Sequence, residues 1–404
     1  MTRSRFPAEA SIHFMNDTPL VTIVMPCLNE EETLATCIRK ALQGIDAAGI
    51  RGEVLIADNG SSDRSPEIAL EEGARIISVS RKGYGSALRA GIEAAGGKWI
   101  LMGDADDSYD FSNITPFIEK LKEGDDLVMG CRMPRGGGRI AKGAMPWKHR
   151  WIGNPVLTFI GRLFFKCPAN DFHCGLRAFT REGYRVMNLQ TIGMEFASEM
   201  VIKATLAGLK ISEVPITLHP DGRSRAPHLR SWRDGWRHLR FMLLFSPRWL
   251  FLMPGIGITG VGSVGLGTLA FGQMIFGKAV LDVGTMMVCS MFLLVGTQLL
   301  WLAVFTREFA VSQGFLPPNR RLRRVLDAIS LEWGLVLGIL MGSGGMLLLG
   351  LAFLEWQHAG FQGLSYSANM RRIIPASTLI ILGIQFLFGS FSLGVLGLKT
   401  ERRD

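Results

Sequence analysis

The segment GDADDSYD (residues 103–110) packs four carboxylates, Asp104, Asp106, Asp107 and Asp110, into seven positions. Like charges at this density repel unless something positive sits among them. A hard divalent cation is the natural neutraliser. Magnesium or manganese takes a few carboxylate oxygens and completes its shell with phosphate oxygens and water. The plainer reading is an acidic turn in which Asp110 and Ser112 cap a following helix. A second segment, RKGYGSALRAG (81–91), is a glycine-rich turn feeding a helix. It lacks the spacing of a P-loop or of a dinucleotide fingerprint. Gly83 and Gly85 would still let the backbone approach a ligand while Arg81 and Lys82 neutralise charge. A tight turn that only starts a helix fits equally well. A third segment, HPDGRSRAPHLR (219–230), carries Arg223 and Arg225, whose guanidinium forks suit phosphate. Gly222 and Pro227 would let that loop close over substrates. Attraction of anionic lipid is the alternative use of its charge.

These residues need a frame. VTIVMP (21–26), EVLIAD (53–58), ARIISVS (74–80), KWILMGDAD (98–106) and DLVMGCR (126–132) read as buried strands. Helical periods lie between them: one from near Asn29 with Glu32 as its capping-box partner, and others over about 62–72, 84–95 and 113–122. The alternation predicts an α/β domain with a mainly parallel sheet and right-handed crossovers. In such sheets ligands collect at the carboxyl ends of the strands, where Asn29, Glu30, Asp58, Asp104 and Asp106 fall. Glu199 and Lys203, four apart in a helix over about 194–207, read as an ordinary helix-surface pair. The seven histidines include no H-x-x-x-H pair, which argues against zinc. The six cysteines form no C-x-x-C pair and read as unpaired thiols of a reducing compartment.

The chain of 404 residues carries a net charge of +9. Basic balance suits nucleic acid, an anionic membrane or an anionic substrate, and neither zinc-finger spacing nor a DNA-reading basic helix is present. Nucleic acid is therefore not an expected partner. The charges are unevenly spread: residues 249–404 hold only 11 basic and 7 acidic side chains. Four runs there, 249–276, 284–305, 333–354 and 374–398, contain no Asp, Glu, Lys, Arg or His. Each reaches the roughly 20 residues that a helix needs to cross hydrocarbon. Arg307, Arg320, Arg321, Arg323 and Arg324 lie between the second and third runs, and Lys399, Arg402 and Arg403 follow the fourth. By the positive-inside rule the long N-terminal part, that loop and the tail are cytoplasmic. The N-terminus lacks the apolar stretch of a cleaved signal peptide. Small residues four apart, Gly255 with Thr259 and Ser263 with Gly267, hint at a homo-oligomer through helix packing. SWRDGWRHLRFMLLFSPRWLF (231–251) places Trp232, Trp236, Leu239 and Leu243 at helical spacing among arginines, which suits an interfacial helix on membrane lipids. An amphipathic helix packed on the soluble domain is the alternative. The expected domains are a tail (1–19), the α/β domain (20–229), the interfacial helix (230–248), the membrane domain (249–398) and a cytoplasmic tail (399–404).

PCLNEE (26–31), IADNGSSD (56–63), RKGYGSALRAG (81–91) and DAD (104–106) stand in the order and spacing of the family 2 inverting glycosyltransferases, which this chain resembles. DFHCGLRAF (171–179) and LKISEVPITL (209–218) narrow the resemblance to the polyprenyl-phosphate glycosyltransferases, similar to dolichol-phosphate mannose synthase and to bacterial enzymes that load undecaprenyl phosphate. It covers about 20–248. The resemblance implies a GT-A-like domain with Pro26, Asn29 and Glu30 lining a nucleotide pocket and Asp58 on the base or ribose. Lys82 and Gly83 join them as substrate-binding candidates. Asp104 and Asp106 would bind Mg2+ or Mn2+ and the diphosphate. Ser108, where some relatives carry Gln, is the candidate third metal contact. Arg132, Arg150, Arg223 and Arg225 are candidates for the anionic groups of donor and acceptor. Asp171, with Arg132 and Arg150 in the catalytic set, would face the acceptor or brace its loop. The implied reaction moves a sugar from a nucleotide-sugar donor to a polyprenyl phosphate at the inner membrane of a prokaryote, for cell-envelope glycan or glycoconjugate assembly. A processive polysaccharide synthase would carry a Q-x-x-R-W segment, absent here. A lipid-linked sugar transporter would place ionisable groups inside its spans, and the four runs have none.

Overall fold

A computed structural model of the chain describes residues 18–224, 231–314, 316 and 331–397. They fall into two compact units, divided between Met242 and Leu243. The first contains strands β1 (Val21–Cys27), β2 (Gly52–Asp58), β3 (Arg75–Ser78), β4 (Trp99–Met102), β5 (Leu127–Cys131), β6 (Arg139–Ile140), β7 (Arg177–Thr180), β8 (Ile211–Pro215) and β9 (Thr217–Leu218). Its helices are α1 (Leu34–Ala47), α2 (Ser65–Glu71), α3 (Tyr84–Ala94), α4 (Thr115–Lys122), α5 (Asn154–Phe165), α6 (Arg181–Met187), α7 (Phe196–Leu206) and α8 (Ser231–Leu244, which runs across the division).

Among the described residues a seven-stranded sheet runs β3-β2-β1-β4-β7-β5-β8. β1 pairs in parallel with β2 (Cys27 opposite Asp58) and with β4 (Val24 opposite Met102). Only β7 is antiparallel, to β4 and β5 alike. The apolar runs read as buried strands form β1 to β5. β1 and β4 are buried on both faces, as strands covered by helices on each side must be. Val21, Ile23 and Met25 pack with Leu34, Ile38 and Ala41 of α1 and with Phe111, Phe117 and Ile118 before and within α4. α8 is tied to this unit by a 2.8 Å hydrogen bond between Ser198 Oγ and His238 Nδ1. Trp236 on the same helix is exposed.

Two local readings are corrected. No helix starts near Asn29: α1 begins at Leu34 after Thr33, without a side-chain cap. Asn29 instead takes a left-handed conformation (φ 57°) and accepts from Ser62 N at 2.7 Å. Glu32 is drawn away from capping by Ser224, whose amide donates to it at 2.7 Å. Glu199 and Lys203 are four apart in a helix, but they are not on the surface. Both are buried, 2.9 Å apart. Glu199 also accepts from Gln190 N, Thr191 N and Thr191 Oγ, and Lys203 donates to Asn188 O. The pair therefore closes the loop between α6 and α7.

The second unit contains α9 (Met253–Phe271), a hairpin of β10 (Met274–Phe276) and β11 (Ala279–Leu281), α10 (Val283–Ser312), α11 (Leu331–His358) and α12 (Tyr366–Gly397). Four stretches, Arg248–Phe271, Val283–Ser312, Leu331–His358 and Tyr366–Leu396, are long and apolar enough to cross a membrane. The end of the first uncharged run leaves the helix to form β10. Gly255 and Thr259 pack inside the unit: a Cβ on Gly255 would stand 3.0 Å from Leu300 Cδ2, and one on Gly296 would meet the Thr259 backbone. Ser290 and Thr378 hydrogen-bond at 2.6 Å, linking α10 to α12. Arg320, Arg321, Arg323, Arg324, Lys399, Arg402 and Arg403 lie outside the described residues.

Removing one partner of a buried ion pair costs about 3–5 kcal/mol because it leaves the other uncompensated. Glu199→Ala should therefore lower the midpoint of thermal unfolding clearly. Glu182→Ala, which removes an exposed partner of Arg185, should leave it nearly unchanged. Thermal denaturation of the solubilised protein, followed by intrinsic fluorescence, compares the two.

Candidate active site

The chain leaves β1 toward β2 and β3 on one side, and leaves β4 toward β5 on the other. The loops after β1 and β4 therefore diverge at neighbouring strand ends, and ligands bind in crevices of this kind. Thr33 Oγ1 donates to Ala105 O at 2.7 Å, which fixes the two loops against each other.

The acidic turn after β4 is partly neutralised by the protein itself. Arg223 Nε donates to Glu30 Oε2 at 2.8 Å, and its Nη2 lies 3.1 Å from Asp106 Oδ2. The arginine thus bridges the loop after β1 to the loop after β4. Lys40 holds Asp107 at 2.7 Å. Asp110 accepts from Ser112 N at 3.0 Å, so it folds its own turn. Ser108 donates to Asp106 Oδ1 through its hydroxyl at 2.6 Å and its amide at 3.1 Å. It supports Asp106 in this arrangement. Tyr84, at the start of α3, stands beside Asp104. Burial, then the charge of Asp106, pushes its carboxyl up to about 6. The segment after β9 straps the turn from outside: His219 N donates to Ser108 O and Gly222 N to Asp106 O, each at 3.0 Å. Arg225 lies outside the described residues.

On the side of β2, Asp58 accepts from Gly60 N at 3.1 Å and Ser61 N at 3.0 Å and so shapes its own loop. Pro26 sits opposite Ala57 on β1. Lys82 Nζ donates to Asn59 O at 2.7 Å, and Gly83 N to Asn59 Oδ1 at 2.7 Å. Gly83 has φ 132°, and a Cβ there would stand 2.3 Å from Ile192 O. The space that the glycine leaves is filled by the chain itself, so its backbone approach is to residue 192.

Arg132 and Asp171 come together away from solvent. Arg132 donates to Asp171 through its amide at 3.0 Å, Nε at 2.7 Å and Nη2 at 2.9 Å, and Asp171 is fully buried. Burial pulls the Asp171 carboxyl up, but the Arg132 charge and hydrogen bonds outweigh it and hold it below its ordinary value. Glu213 of β8 accepts from the amides of Asn170 and Asp171 at 2.7 and 2.9 Å. Arg150 stands over the Trp151 ring, 5.4 Å from its centroid.

Sequence reading passed over Tyr84 and Arg177. Tyr84 lies inside the RKGYG segment, but no spacing rule marks a tyrosine as the partner of a carboxylate some twenty residues on. Arg177 is fully buried and donates to Cys174 O at 2.8 Å, Phe172 O at 3.1 Å and Ala197 O. It pins the loop whose Gly175 lies so close to Asp104 that a Cβ would stand 2.9 Å from Oδ2.

Among the described residues no three His, Cys, Asp or Glu side chains converge as a ready metal cage. A magnesium-like ion does not need one, because one or two carboxylates suffice where phosphates and water complete the shell. Asp104 and Asp106 fit that donor set. They are hard oxygen ligands, and burial together with the charge of Asp106 raises Asp104, the situation that a cation relieves.

This edge belongs to a unit that is followed in the chain by four helical stretches long and apolar enough to cross a membrane. The profile of glycosyl transferase family 2 matches residues 22–187, and that of the glycosyltransferase family 2 C-terminal transmembrane region matches 304–397. The chain is 38% identical over 381 residues to the low-salt glycan biosynthesis hexosyltransferase Agl6 of Haloferax volcanii, spanning 94% of this chain and 89% of that one. It is 31% identical over 198 residues to a dolichyl-phosphate hexose transferase of the same organism, spanning 48% and 81%. Among solved structures, glucosyl-3-phosphoglycerate synthase from Mycobacterium tuberculosis matches 56% of this chain and 78% of its own, at 22% identity and a TM-score of 0.42. The chain belongs to glycosyltransferase family 2.

A cation at Asp104 and Asp106 requires both ionised. Because the folded carboxyl of Asp104 is raised from 3.8 to about 6, its burden on stability is absent below the unfolded value, grows as pH rises toward 6 and is fully present above it. Mn2+ should therefore raise the unfolding midpoint at pH 7.5 and do so much less at pH 5. Binding followed by electron paramagnetic resonance should weaken by up to about tenfold per pH unit below 6. With an ordinary carboxyl, the loss would begin only near pH 4.

Proposed function

We propose that the protein transfers a hexosyl group from a nucleotide diphosphate sugar to the phosphate of a polyprenyl lipid, with inversion at the anomeric carbon. The observation that carries this reading is the convergence of Asp104, Asp106, Glu30 and Arg223 at the ligand edge of the sheet in an integral membrane glycosyltransferase. The similarity to a dolichyl-phosphate hexose transferase supports a lipid-phosphate acceptor.

Asn29, Glu30 and Asp58, with Pro26, Lys82 and Gly83, are assigned to the donor side because their loops surround the ends of β1 and β2. Asp104 and Asp106, supported by Ser108, would hold Mg2+ or Mn2+, which when bound neutralises the diphosphate and stabilises it as a leaving group. Arg223 supplies a fixed positive charge beside the same carboxylates, where negative charge develops on the departing diphosphate. Arg150 and Arg225 are assigned to the acceptor phosphate. That phosphate is mostly anionic near neutrality, with a second pKa of about 6, so its oxygen attacks without a strong base. The burial of Asp171 on Arg132 agrees with this. The pair positions the loop that carries Gly175 against Asp104, and Asp171 is not assigned a proton.

The catalytic unit and both termini are assigned to the cytoplasmic side of a prokaryotic plasma membrane, on the strength of the basic residues at 307–324 and 399–403. Single cysteines in 277–283 and 355–373 should react with an impermeant reagent added outside, and cysteines in 306–332 should not. The reverse pattern inverts the topology.

Asp104→Asn and Asp106→Asn should each lower transfer by about two to three orders of magnitude, the scale of losing a charge-stabilising group, with the fold retained. The measurement is transfer from a panel of radiolabelled nucleotide sugars to polyprenyl phosphate. Full turnover in excess EDTA would remove the cation from the reaction.

A further inference from the structure

The glycine-rich entry of α3 is gripped from two sides. On the side of β2, Asn59 Nδ2 donates to Val79 O at 3.0 Å and to Arg81 O at 2.9 Å, besides accepting from Gly83 N. On the other side stands the loop over 190–193, between α6 and α7. Ser86 N donates to Ile192 O at 3.2 Å, and Arg89 Nη1 to Gln190 O at 3.4 Å. Glycines at 83 and 85 bring the two segments together. A Cβ on Gly85 would stand 2.6 Å from Thr191 O and 3.0 Å from Gly193 O, as one on Gly83 would meet Ile192 O. Backbone therefore lies on backbone, and a shift of either segment moves the other.

Ile192 is 39% exposed, so apolar burial does little to fix this loop. A buried carboxylate does it instead. Glu199 Oε2 accepts from Gln190 N at 3.0 Å, Thr191 N at 2.8 Å and Thr191 Oγ1 at 2.7 Å. Lys203 Nζ stands 2.9 Å from Glu199 Oε1 and donates to Asn188 O at 2.6 Å, where the chain leaves α6 in a left-handed turn. Hydrogen bonds to an ionised group are about twice as strong as neutral ones, so this set holds the loop in one geometry. Apolar residues of similar volume often stabilise a core as well as a buried ion pair does. What they cannot do is accept hydrogen bonds from a loop.

We propose that Glu199, clamped by Lys203, is a positioning residue of the transfer reaction. It acts through the carbonyls of Thr191, Ile192 and Gly193 on the entry of α3, and so sets Lys82 and Tyr84 relative to the loop of Asp104. The inference rests on the reading of this strand edge as the donor site. Glu199 is fully buried and works at one remove, by keeping the donor-side groups in a single arrangement.

The test compares two full-length variants in detergent: Glu199→Leu combined with Lys203→Met, and Asp125→Asn as the control. The double substitution removes both buried charges at similar volume, so the core is kept while the loop loses its acceptor. Asp125→Asn breaks the ion pair of buried Asp125 with Lys210 (2.7 Å) just before β5, at the opposite end of the sheet from the crevice. Hydrogen exchange followed by mass spectrometry should show faster exchange of peptides covering 82–90 in the double variant and not in the control. Transfer is measured below the unfolding midpoint of every variant. The double variant should lose at least about tenfold in kcat, since small misplacements at a reacting centre cost this much or more. The KM of the lipid acceptor should change less than about twofold. Asp125→Asn should keep the kcat of the unsubstituted protein. Should the double variant lose protection throughout, Glu199→Gln, which keeps the volume and one acceptor oxygen, is read by the same two measurements with the same expected directions. Exchange over 82–90 equal to that of the control overturns the proposal, and so does full kcat beside faster exchange. A protein that turns over no nucleotide sugar before substitution would overturn the reading of the donor site and this inference with it. An active protein whose Glu199 variants are equally active overturns this inference alone.

Discussion

Two carboxylates of like charge, held by consecutive turns at the end of a buried strand, are the constraint that the rest of the catalytic unit answers. Asp104 and Asp106 cannot both ionise beside each other at no cost. Arg223 comes in from the segment after β9 and ties Asp106 to Glu30. Tyr84, at the start of α3, stands beside Asp104. Lys40 of α1 takes the neighbouring Asp107. Three separate parts of the chain thus meet at one loop, in which burial and the charge of Asp106 still hold the Asp104 carboxyl above its ordinary value.

Much of this frame was legible in the sequence. Strands buried on both faces appear as unbroken apolar runs, so β1 to β5 and the mainly parallel sheet followed directly. The acidic turn announced itself by charge density alone. What escaped was set by contacts distant in the chain. Asn29 reads as a helix cap in its local context, but Ser62 reaches it across the β1–β2 edge and Ser224 takes Glu32, so the helix starts five residues later. Glu199 and Lys203 have the spacing of a surface pair. Only the tertiary fold buries them, because the loop over 190–191 needs an acceptor. The sequence marked Arg223 as a candidate for an anionic group by its residue type and its loop. Its partners, Glu30 and Asp106, lie 193 and 117 positions earlier, beyond any local pattern.

Arg132 and Asp171 teach the complementary point. Each looks reactive as a residue type, and together they quench one another. Their pair, extended by Glu213, fixes the loop that presses Gly175 onto Asp104. Rigidity of this kind matters where catalysis rests on fixed charges, since a preorganised field acts without rearranging at the moment of reaction.

The single antiparallel strand β7 has a consequence for how such proteins diverge. Because it enters the sheet from the same edge at which β5 ends, the 45 residues from Arg132 to Leu176 start and finish beside the ligand crevice. That stretch behaves as a cassette. Outside β6, which pairs with β9, its length and composition can change without re-registering the seven-stranded sheet, provided that Arg132 and Asp171 still reach each other. Inheritance can therefore exchange this wall of the crevice while the β1–β3 half of the sheet stays as it is.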